Sequence, residues 1–506
     1  MPRTPPNILF LQTDQLTPFS LKPYGDPICL TPHIDRLAAE GLLFENAYCN
    51  FPLCAPSRFS MASGRLASRI GAFDNAAEFP ASIPTYAHYL RKAGYQTCLS
   101  GKMHFVGPDQ LHGFERRLTS DLYPSDFEWT ADWTKSGFEG ATDISMLQKS
   151  GQCARSVQID YDEDVAYQAI GALYDFARSP DSRPFFLQVS FTHPHDPYLC
   201  TPDMWDRYDG LEIPMPAVDR PSGNENDPHS VRLLQQHGLY DAEIDPEMIG
   251  RARQAYYGSL SFIDDKVGAV LHALHGAGFS NNTVIVFTSD HGEMLGERGL
   301  WLKKTFFEPA LRVPLILHWP EELAPGRSEA LCSLLDLLPT FMGIATDGQT
   351  LDPVDPLDGD DLLALTRSGS ENRPIYAELL SEGVPAPTFM IRRDRWKYIA
   401  NGVDPDLLFD LQEDPMETHN RAVDPACADI LSSFTTERQN RWDSDALTRE
   451  ILASQKRRLF IRDAMKAGTR NAWDFIGPTV DDGKWFRGQT GYNDWAFDFL
   501  PVPGGR

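Results

Sequence analysis

Short apolar runs that end in polar residues recur along most of the chain. NILFLQTD and NTVIVFTSDHG are the clearest, and their polar ends contain the aspartates Asp14 and Asp290. A continuous apolar run of about four to eight residues is typical of a strand buried on both faces of a sheet. Three further runs have the same character: YQTCLS, RPFFLQVSFTHPH and PLILHW.

The segments between these runs carry the boundary residues of helices. TPHIDRLAAEG offers Thr31 as N-cap, Pro32 in the first turn and Gly41 as a stop, and IPTYAHYLRKAG follows the same order. A long helical segment, at about 250–278, precedes the run that contains Asp290. Strands that alternate with helices predict an α/β fold, with a mostly parallel central sheet and helices on both faces.

The pattern changes near residue 350, where DPVDPLDGDD forms an acidic, proline-rich loop. After it, PIYAEL, TFMIRRDRWKYIA and DLLFDL predict short antiparallel strands, and a later helical segment leads into an aromatic-rich arm. Eight aromatic residues lie between Trp473 and Phe499, and we expect this arm to serve oligomerisation. We therefore divide the chain into a catalytic α/β domain, a C-terminal α+β subdomain and a helix with its arm, at 1–350, 351–440 and 441–506.

Composition narrows the function classes. The 506 residues include 71 acidic and 46 basic ones, a net charge of −25, which argues against a nucleic-acid binder. No stretch reaches the roughly 20 apolar residues of a membrane span, and the N-terminal segment leaves no room for a signal peptide. The eight cysteines have no C-x-x-C spacing. We expect mostly free thiols and a cytoplasmic protein.

Polar residues at the ends of the apolar runs are the candidates for chemistry. One aspartate after a strand is often only a turn or cap residue, but Asp14, Asp290 and His291 together suit a divalent metal. Basic residues follow other runs or lie in CAPSR and WLKKTFF. Together they would form a cationic site for an oxyanion such as sulfate or phosphate, and they are Arg58, Lys102, His104, His195 and Lys303.

C-A-P-S-R at 54–58, followed by A-S-G-R, resembles the signature of the type I sulfatase family. Asp14, GKMH, THPH, SDHG and the K-x4-E-x3-R run from Lys303 to Arg312 occur in that family's order, and DLLFDLQEDPMETHNRA resembles its closing motif. The resemblance covers residues 7 to about 420. It implies an alkaline-phosphatase-like sulfatase fold with a small C-terminal antiparallel sheet subdomain and an extended tail.

The resemblance also implies how Cys54 acts. A formylglycine-generating enzyme would read the Pro and Arg of the motif and oxidise Cys54 to formylglycine. One hydroxyl of the hydrated aldehyde would attack sulfur, and the other would then lose its proton to His104 and expel sulfate. That elimination replaces a second attack by water on a hindered anion.

The same resemblance assigns the other site residues. Asp14, Asp290, His291 and the modified Cys54 would hold one divalent cation, and the imidazole makes manganese as plausible as calcium. Three side chains would grip the sulfate, with His195 or Lys303 protonating the leaving alcohol. The gripping residues are Lys102, His195 and Lys303, while Arg58 stays in the site.

Within the family, the chain is most similar to the branch of choline sulfatases and phosphonate monoester hydrolases, and FDNAAEF, SGKMHFVGP and SFTHPHDPY resemble the former. This implies a homo-oligomer, dimer or tetramer, that hydrolyses choline-O-sulfate. Trp129 would face the trimethylammonium group and Glu382, or else Glu378, would pair with it, while Asn75 would contact substrate.

Three alternatives stay open. The chain could hydrolyse another small alkyl or aryl sulfate. It could act on a phosphonate or phosphate ester in a related pocket. It could also be a non-catalytic binder of sulfated ligands, although an intact C-A-P-S-R with Lys102, His104 and Lys303 speaks against that.

Overall fold

A computed structural model describes most of the chain, and no helix in that part is long and apolar enough to cross a membrane. All eight cysteines lie in it as free thiols. The arm from residue 474 onward lies outside the described residues, so of its eight aromatics only Trp473 is described. The described residues are 5–135, 143–222, 226–320, 322–346, 352–368, 373–467 and 473.

The described residues form three sheets. Their strands are, in chain order, β1 (Asn7–Thr13), β2 (Leu42–Tyr48), β3 (Gln96–Gly101), β4 (Arg116–Arg117), β5 (Gly151–Gln152), β6 (Phe185–Ser190), β7 (Leu199–Cys200), β8 (Thr283–Ser289), β9 (Leu315–His318), β10 (Gly326–Ser333), β11 (Ile375–Leu379), β12 (Thr388–Arg393), β13 (Trp396–Ala400) and β14 (Leu407–Asp410).

The central sheet has the order β10-β2-β9-β8-β1-β6-β3-β4. Every neighbouring pair is parallel except those of β9, which runs antiparallel to both β2 and β8. In the middle strand, Leu9 is in register with Leu187 of β6 and Ile285 of β8. Strands β1, β6 and β8 are buried along their whole length, so the predicted mostly parallel sheet is confirmed.

Two groups of helices pack on this sheet. In the first, α1 (Pro32–Glu40) and α6 (Val157–Arg178) each contact α9 (Pro246–Gly276). In the second, α2 (Cys54–Ser63), α4 (Tyr86–Lys92) and α11 (Leu337–Ala345) contact one another. β5 pairs with β7, and β11 to β14 form the antiparallel C-terminal sheet. The helices are α1 (Pro32–Glu40), α2 (Cys54–Ser63), α3 (Ala67–Ile70), α4 (Tyr86–Lys92), α5 (Ser145–Gln148), α6 (Val157–Arg178), α7 (Pro202–Trp205), α8 (Pro228–Gln236), α9 (Pro246–Gly276), α10 (Glu308–Leu311), α11 (Leu337–Ala345), α12 (Leu362–Ser368), α13 (Ala428–Arg441) and α14 (Ser444–Lys466).

Helix α1 lies between Thr31 and Gly41 as predicted, but its N-terminus is capped from elsewhere. The Asp264 carboxylate of α9 accepts the backbone N–H groups of His33 and Ile34, at 3.1 and 2.8 Å. Burial raises the pKa of Asp264 to about 7. A carboxylate from a packed neighbouring helix thus does what a local side chain was expected to do.

The C-terminal sheet holds the segment that follows Lys303. The buried Lys397 of β13 donates to the Phe306 carbonyl at 2.6 Å and pairs with Glu308 and Glu417, at 2.7 and 2.6 Å. A buried charge of this kind is tolerated only when it is paired and hydrogen-bonded. The packing therefore fixes the Lys303 loop against the C-terminal sheet.

Candidate active site

Four adjacent parallel strands bring their carboxyl ends to one edge of the central sheet. These strands are β8, β1, β6 and β3, and ligands in open α/β sheets gather at this edge. Six of the predicted site residues follow these ends directly or within a few residues, and His104, three residues after β3, is one of them. The others are Asp290 and His291 after β8, Asp14 after β1, His195 after β6 and Lys102 after β3.

Asp14, Cys54, Asp290 and His291 form a buried group, each offering one metal-ligating atom, and these atoms lie within 4.8 Å of one another. The Cys54 Sγ atom is 3.3 Å from His291 Nε2 and 3.9 Å from Asp14 Oδ1. His291 Nδ1 donates to the Gly292 carbonyl at 3.0 Å, which turns Nε2 toward the group. Two carboxylates, an imidazole and Cys54 are a donor set that fits a divalent ion.

Arg58 forms ion pairs with both aspartates of this group. Its Nε is 2.8 Å from Asp290 Oδ2, its Nη2 is 2.9 Å from Asp14 Oδ2, and its Nη1 donates to the Lys102 carbonyl at 2.6 Å. Burial and the neighbouring Cys54 act to raise the pKa of Asp14, but Lys102, His195 and Arg58 outweigh them and hold it well below its usual range. Burial raises the pKa of Asp290 despite Arg58.

Cys54 is the first residue of α2, where helix N–H groups favour a negative charge. The Asn75 side-chain oxygen accepts the next N–H group, that of Ala55, at 3.0 Å. Burial acts to raise the pKa of Cys54, yet Lys102, Lys303 and His291 lower it well below its usual value. The position therefore stabilises an anionic atom.

The predicted cationic residues surround this position. Lys303 Nζ is 2.8 Å from His195 Nε2, and His195 Nδ1 donates to the Asp196 carbonyl at 2.7 Å. Lys102 Nζ pairs with Asp14 Oδ2 at 2.5 Å. Both ring nitrogens of His104 are buried and have no hydrogen-bond partner among the described residues.

A cavity of about 650 Å³ opens beside these groups. Trp129, 39% exposed, lies on its wall, with ring centroids 5.1 Å from Tyr123 and 5.7 Å from His104. Lys102 Nζ lies 4.1 Å from the Tyr123 ring centroid. The predicted residues that line the cavity are Cys54, Asn75, Trp129, His195, Lys303 and Glu382.

The two candidate glutamates lie in different surroundings. Glu382 lines the cavity and forms an ion pair with Lys304. Glu378 is fully buried and accepts hydrogen bonds from the Ser68 hydroxyl and the Trp442 ring N–H, both at 2.6 Å. Glu378 therefore belongs to the packing beneath the site.

Helix α14 supplies a wall of the cavity through Leu459 and Arg462, which sequence reasoning did not find. From the same helix, Arg458 donates hydrogen bonds through Nη1 and Nη2 to the two carboxylate oxygens of buried Asp74, at 2.6 and 2.8 Å. Asp74 directly precedes Asn75. Tyr123 was also missed, and neither it nor α14 carries a motif. Lys304 follows Lys303 in WLKKTFF, and no role for it was predicted from the sequence.

Gln15 and Lys304 adopt left-handed backbone conformations with φ of 65° and 69°, and His104 does so with φ of 58°. Such conformations are costly for residues other than glycine and concentrate at functional sites. The Gln15 amide oxygen accepts a hydrogen bond from Lys303, and its amide nitrogen donates to Glu293. No role for Gln15 was predicted from the sequence.

Residues 6–347 match the family described as "Sulfatase", and residues 296–442 match that described as "N-sulphoglucosamine sulphohydrolase, C-terminal". The chain is 42% identical over 480 residues to the choline-sulfatase of Rhizobium meliloti (strain 1021), covering 93% of each protein. It is 29% identical over 440 residues to the arylsulfatase of Clostridium perfringens (strain 13 / Type A), covering 82% of this chain and 90% of that protein.

The crystal structure of the phosphonate monoester hydrolase of Agrobacterium radiobacter superposes with a TM-score of 0.68 at 23% identity. The superposition covers 88% of this chain and 96% of that one, and it supports the predicted fold. The family match spans the strand-end residues, the C-A-P-S-R helix and the Lys303 loop. The chain therefore belongs to the sulfatase family, the hydrolases of sulfuric esters.

Proposed function

We propose that the protein hydrolyses choline-O-sulfate to choline and sulfate. The observation that carries this proposal is that Cys54, Lys303 and the exposed Trp129 ring line one cavity. An anionic sulfate and a cationic trimethylammonium group can then be bound at the same time. The 42% identity to the choline-sulfatase of Rhizobium meliloti supports the same substrate.

Asp14, Asp290, His291 and the modified Cys54 would hold one divalent cation, calcium or manganese. The two buried carboxylates repel each other. Lys102 and Arg58 hold the pKa of Asp14 low, but burial raises the pKa of Asp290 even beside Arg58, so Asp290 still lacks compensating positive charge. A bound ion would supply that charge and would lower the pKa of a hydroxyl group coordinated to it.

Formylglycine at position 54, made by a formylglycine-generating enzyme, would supply the nucleophile for sulfur. The chain's own residues hold this position in place. Asn75 accepts the Ala55 N–H at 3.0 Å, and the Ser57 hydroxyl donates to the Asp290 carbonyl at 2.5 Å. These bonds orient the first turn of α2 toward the cavity.

The basic residues have separate tasks. Lys102, His195 and Lys303 would bind the sulfate oxygens as charge-assisted donors. His195 and Lys303 are in contact at 2.8 Å, so either can carry the proton that the leaving alcohol needs. His104, with no partner for its ring nitrogens among the described residues, would accept the proton when sulfate is released.

The cation would lie against the Trp129 ring, near the Glu382 carboxylate, since Lys102 Nζ already lies over the Tyr123 ring. A trimethylammonium group has no N–H to donate, so an aromatic face and a carboxylate are what can recognise it. Glu382 is paired with Lys304, and its side chain keeps 22% of its surface exposed. Lys304 therefore limits how much of the carboxylate charge reaches the substrate.

Three further parts of the proposal concern organisation. We divide the chain at about 350 and 440 into the catalytic domain, the C-terminal subdomain and the helix with its arm. We place the enzyme in the cytoplasm as a dimer or tetramer. Trp473, whose ring packs on Phe127 at a centroid distance of 5.2 Å, supports an arm that begins near the cavity wall.

Trp129→Ala should lower kcat/KM for choline-O-sulfate by roughly 2- to 30-fold, because a cation–π contact contributes about 0.5–2 kcal/mol. The matched ester is 3,3-dimethylbutyl sulfate, in which carbon replaces nitrogen and the positive charge is gone. Its kcat/KM should barely change, since the sulfate contacts are untouched. Equal losses on both esters would mean that Trp129 only packs, and the choline assignment would fail.

The two glutamates should respond in opposite ways. Glu378→Gln should lower the free energy of unfolding by about 1–3 kcal/mol, because one buried acceptor becomes a donor facing Ser68. Glu382→Gln should raise KM for choline-O-sulfate and change the stability by less than about 1 kcal/mol, since its ion pair is partly exposed. Urea unfolding and steady-state kinetics measure both. A raised KM in the Glu378 variant alone would reverse these assignments.

A steady-state screen separates the alternatives. It compares choline-O-sulfate with an aryl sulfate, a neutral alkyl sulfate and a phosphonate monoester. The highest kcat/KM should belong to choline-O-sulfate. A higher kcat/KM for either of the other sulfates would mean that choline-O-sulfate is not the preferred substrate. A higher kcat/KM for the phosphonate would mean that the protein is a phosphonate ester hydrolase.

A further inference from the structure

A second cavity, of about 380 Å³, adjoins the active-site loop, and we call it the rear cavity. Glu293 lies between it and the active site. Its side chain lines the rear cavity and also accepts a hydrogen bond from Gln15, whose amide oxygen accepts one from Lys303. The rear cavity is thus a neighbour of the catalytic machinery with its own lining.

The rim of the rear cavity is apolar. Phe19, Met215 and Met416 line it, and they are 41%, 44% and 40% exposed. They come from three separate segments of the chain, which fold together at this point. Large exposed side chains that meet around an opening are typical of a binding site for a ligand with an apolar part.

The lining also includes three buried arginines, Arg253, Arg298 and Arg392, which are only 7%, 8% and 7% exposed. Each donates a hydrogen bond through Nη1 to a backbone carbonyl, at 2.6, 3.0 and 3.4 Å respectively. The buried Nε–H group of each has no acceptor among the described residues. Arg253 Nη1 also lies 4.0 Å from the Glu297 carboxylate. A guanidinium offers five donors, so each of the three side chains still has donors without an acceptor.

The carboxylates that line the rear cavity already accept hydrogen bonds from the protein. Asp26 accepts from two backbone N–H groups and the Tyr257 hydroxyl, and Glu297 accepts from two backbone N–H groups. Glu417 accepts from a backbone N–H group and from Lys397. The other two lining glutamates are also engaged, and they are Glu293 and Glu308. Five carboxylates and four arginines line the cavity, so its surplus is one of unpaired arginine N–H donors and not of positive charge.

We propose that the rear cavity binds a small oxyanion that carries a short apolar tail, such as an alkyl carboxylate or an alkyl sulfate. The oxygens of the head group would accept charge-assisted hydrogen bonds from the three arginines, whose planar donor edges match such a group. The tail would lie against the apolar rim. This site is distinct from the one that holds Cys54 and does not depend on which ester is hydrolysed.

Isothermal titration of the full-length enzyme with hexanoate tests the proposal, because hexanoate has no ester bond to cleave. Lys303→Met removes one of the proposed sulfate-binding side chains of the active site and leaves the rear cavity unchanged. Wild type and this variant should therefore share one hexanoate-binding site of similar affinity. Arg392→Met and Arg253→Met should each weaken that site about tenfold or more. Two arginine variants are used so that one can be dropped if its circular dichroism shows misfolding. Hexan-1-ol, which has the tail without the charge, should give no measurable binding.

Several results would overturn the proposal. Hexanoate binding that disappears in Lys303→Met but persists in both arginine variants would place it in the active site. Absence of binding to wild type would refute the site directly. Arginine variants that change the sedimentation coefficient, with no hexanoate binding to wild type, would show that a second copy of the chain covers the rear cavity.

Discussion

Replacing Cys54 with alanine should lower kcat/KM for sulfate ester hydrolysis by about 10⁵- to 10⁶-fold, the order of effect expected when an enzyme loses its nucleophile. Cys54 lies 3.3 Å from His291 Nε2 and 3.9 Å from Asp14 Oδ1, at the point where the cationic residues meet. Alanine keeps the helix start but offers no atom for conversion to an aldehyde. Steady-state hydrolysis of choline-O-sulfate measures the loss.

Cys49→Ala is the matched control. Cys49 is also buried, just after β2, but burial raises the pKa of its thiol well above the usual value, so it is inert. This variant should keep nearly full activity. Peptide mass spectrometry of active enzyme should show an aldehyde at position 54, with sulfur replaced by oxygen and two hydrogens lost relative to cysteine, and an unchanged thiol at Cys49. Activity in the Cys54→Ala variant would refute a mechanism in which residue 54 supplies the nucleophile.

The fold was largely predictable because buried parallel strands have an unmistakable composition. β1, β6 and β8 are wholly buried, and each was visible as an apolar run with a polar end. The reversal of β9 between β2 and β8 was not visible. Strand direction depends on how the connections cross the sheet, and an apolar run such as LILH is compatible with a parallel or an antiparallel strand.

The strand-end residues of the site were predictable for a geometric reason. Parallel strands share one carboxyl edge, so Asp14, Lys102, His195 and Asp290 had to approach one another once the strands were placed side by side. The special role of Cys54 was not predictable from patterning. It came from the resemblance of C-A-P-S-R to a family signature, because the chemistry of that thiol is installed after synthesis.

The residues that form the cavity wall could not be predicted from the sequence. Arg458 and Asp74 are 384 residues apart in the chain, yet they form a buried ion pair with two hydrogen bonds. Nothing in the helical pattern of α14 marks one arginine among several as the buried one. Tyr123 lies in a long loop, where no periodicity links position to direction. Contacts of this kind depend on how separate segments dock.

Removing the divalent ion should abolish activity almost completely, and adding it back should restore it. Asp14, Asp290, His291 and Cys54 place their ligating atoms within 4.8 Å of one another, which fits a single ion. Dialysis against a chelator, followed by calcium or manganese, measures the effect. The ion that restores the higher kcat identifies the cofactor, and the donor set of oxygens with one imidazole permits either.

Asp290→Asn should reproduce the loss in the intact enzyme, lowering kcat/KM at least about 10²-fold together with the bound metal content. Asp264→Asn is the control, because that buried carboxylate has a pKa of about 7, caps α1 and is not one of the proposed ligands. The two N–H groups are accepted by different oxygens of Asp264, and asparagine keeps only one of them. Asp264→Asn should therefore lose some stability but keep both metal and activity. Metal content measured by plasma mass spectrometry separates the two roles. If Asp290→Asn retained a full equivalent of metal, Asp290 would serve as the Arg58 partner, and the ion would have to be held by the remaining residues.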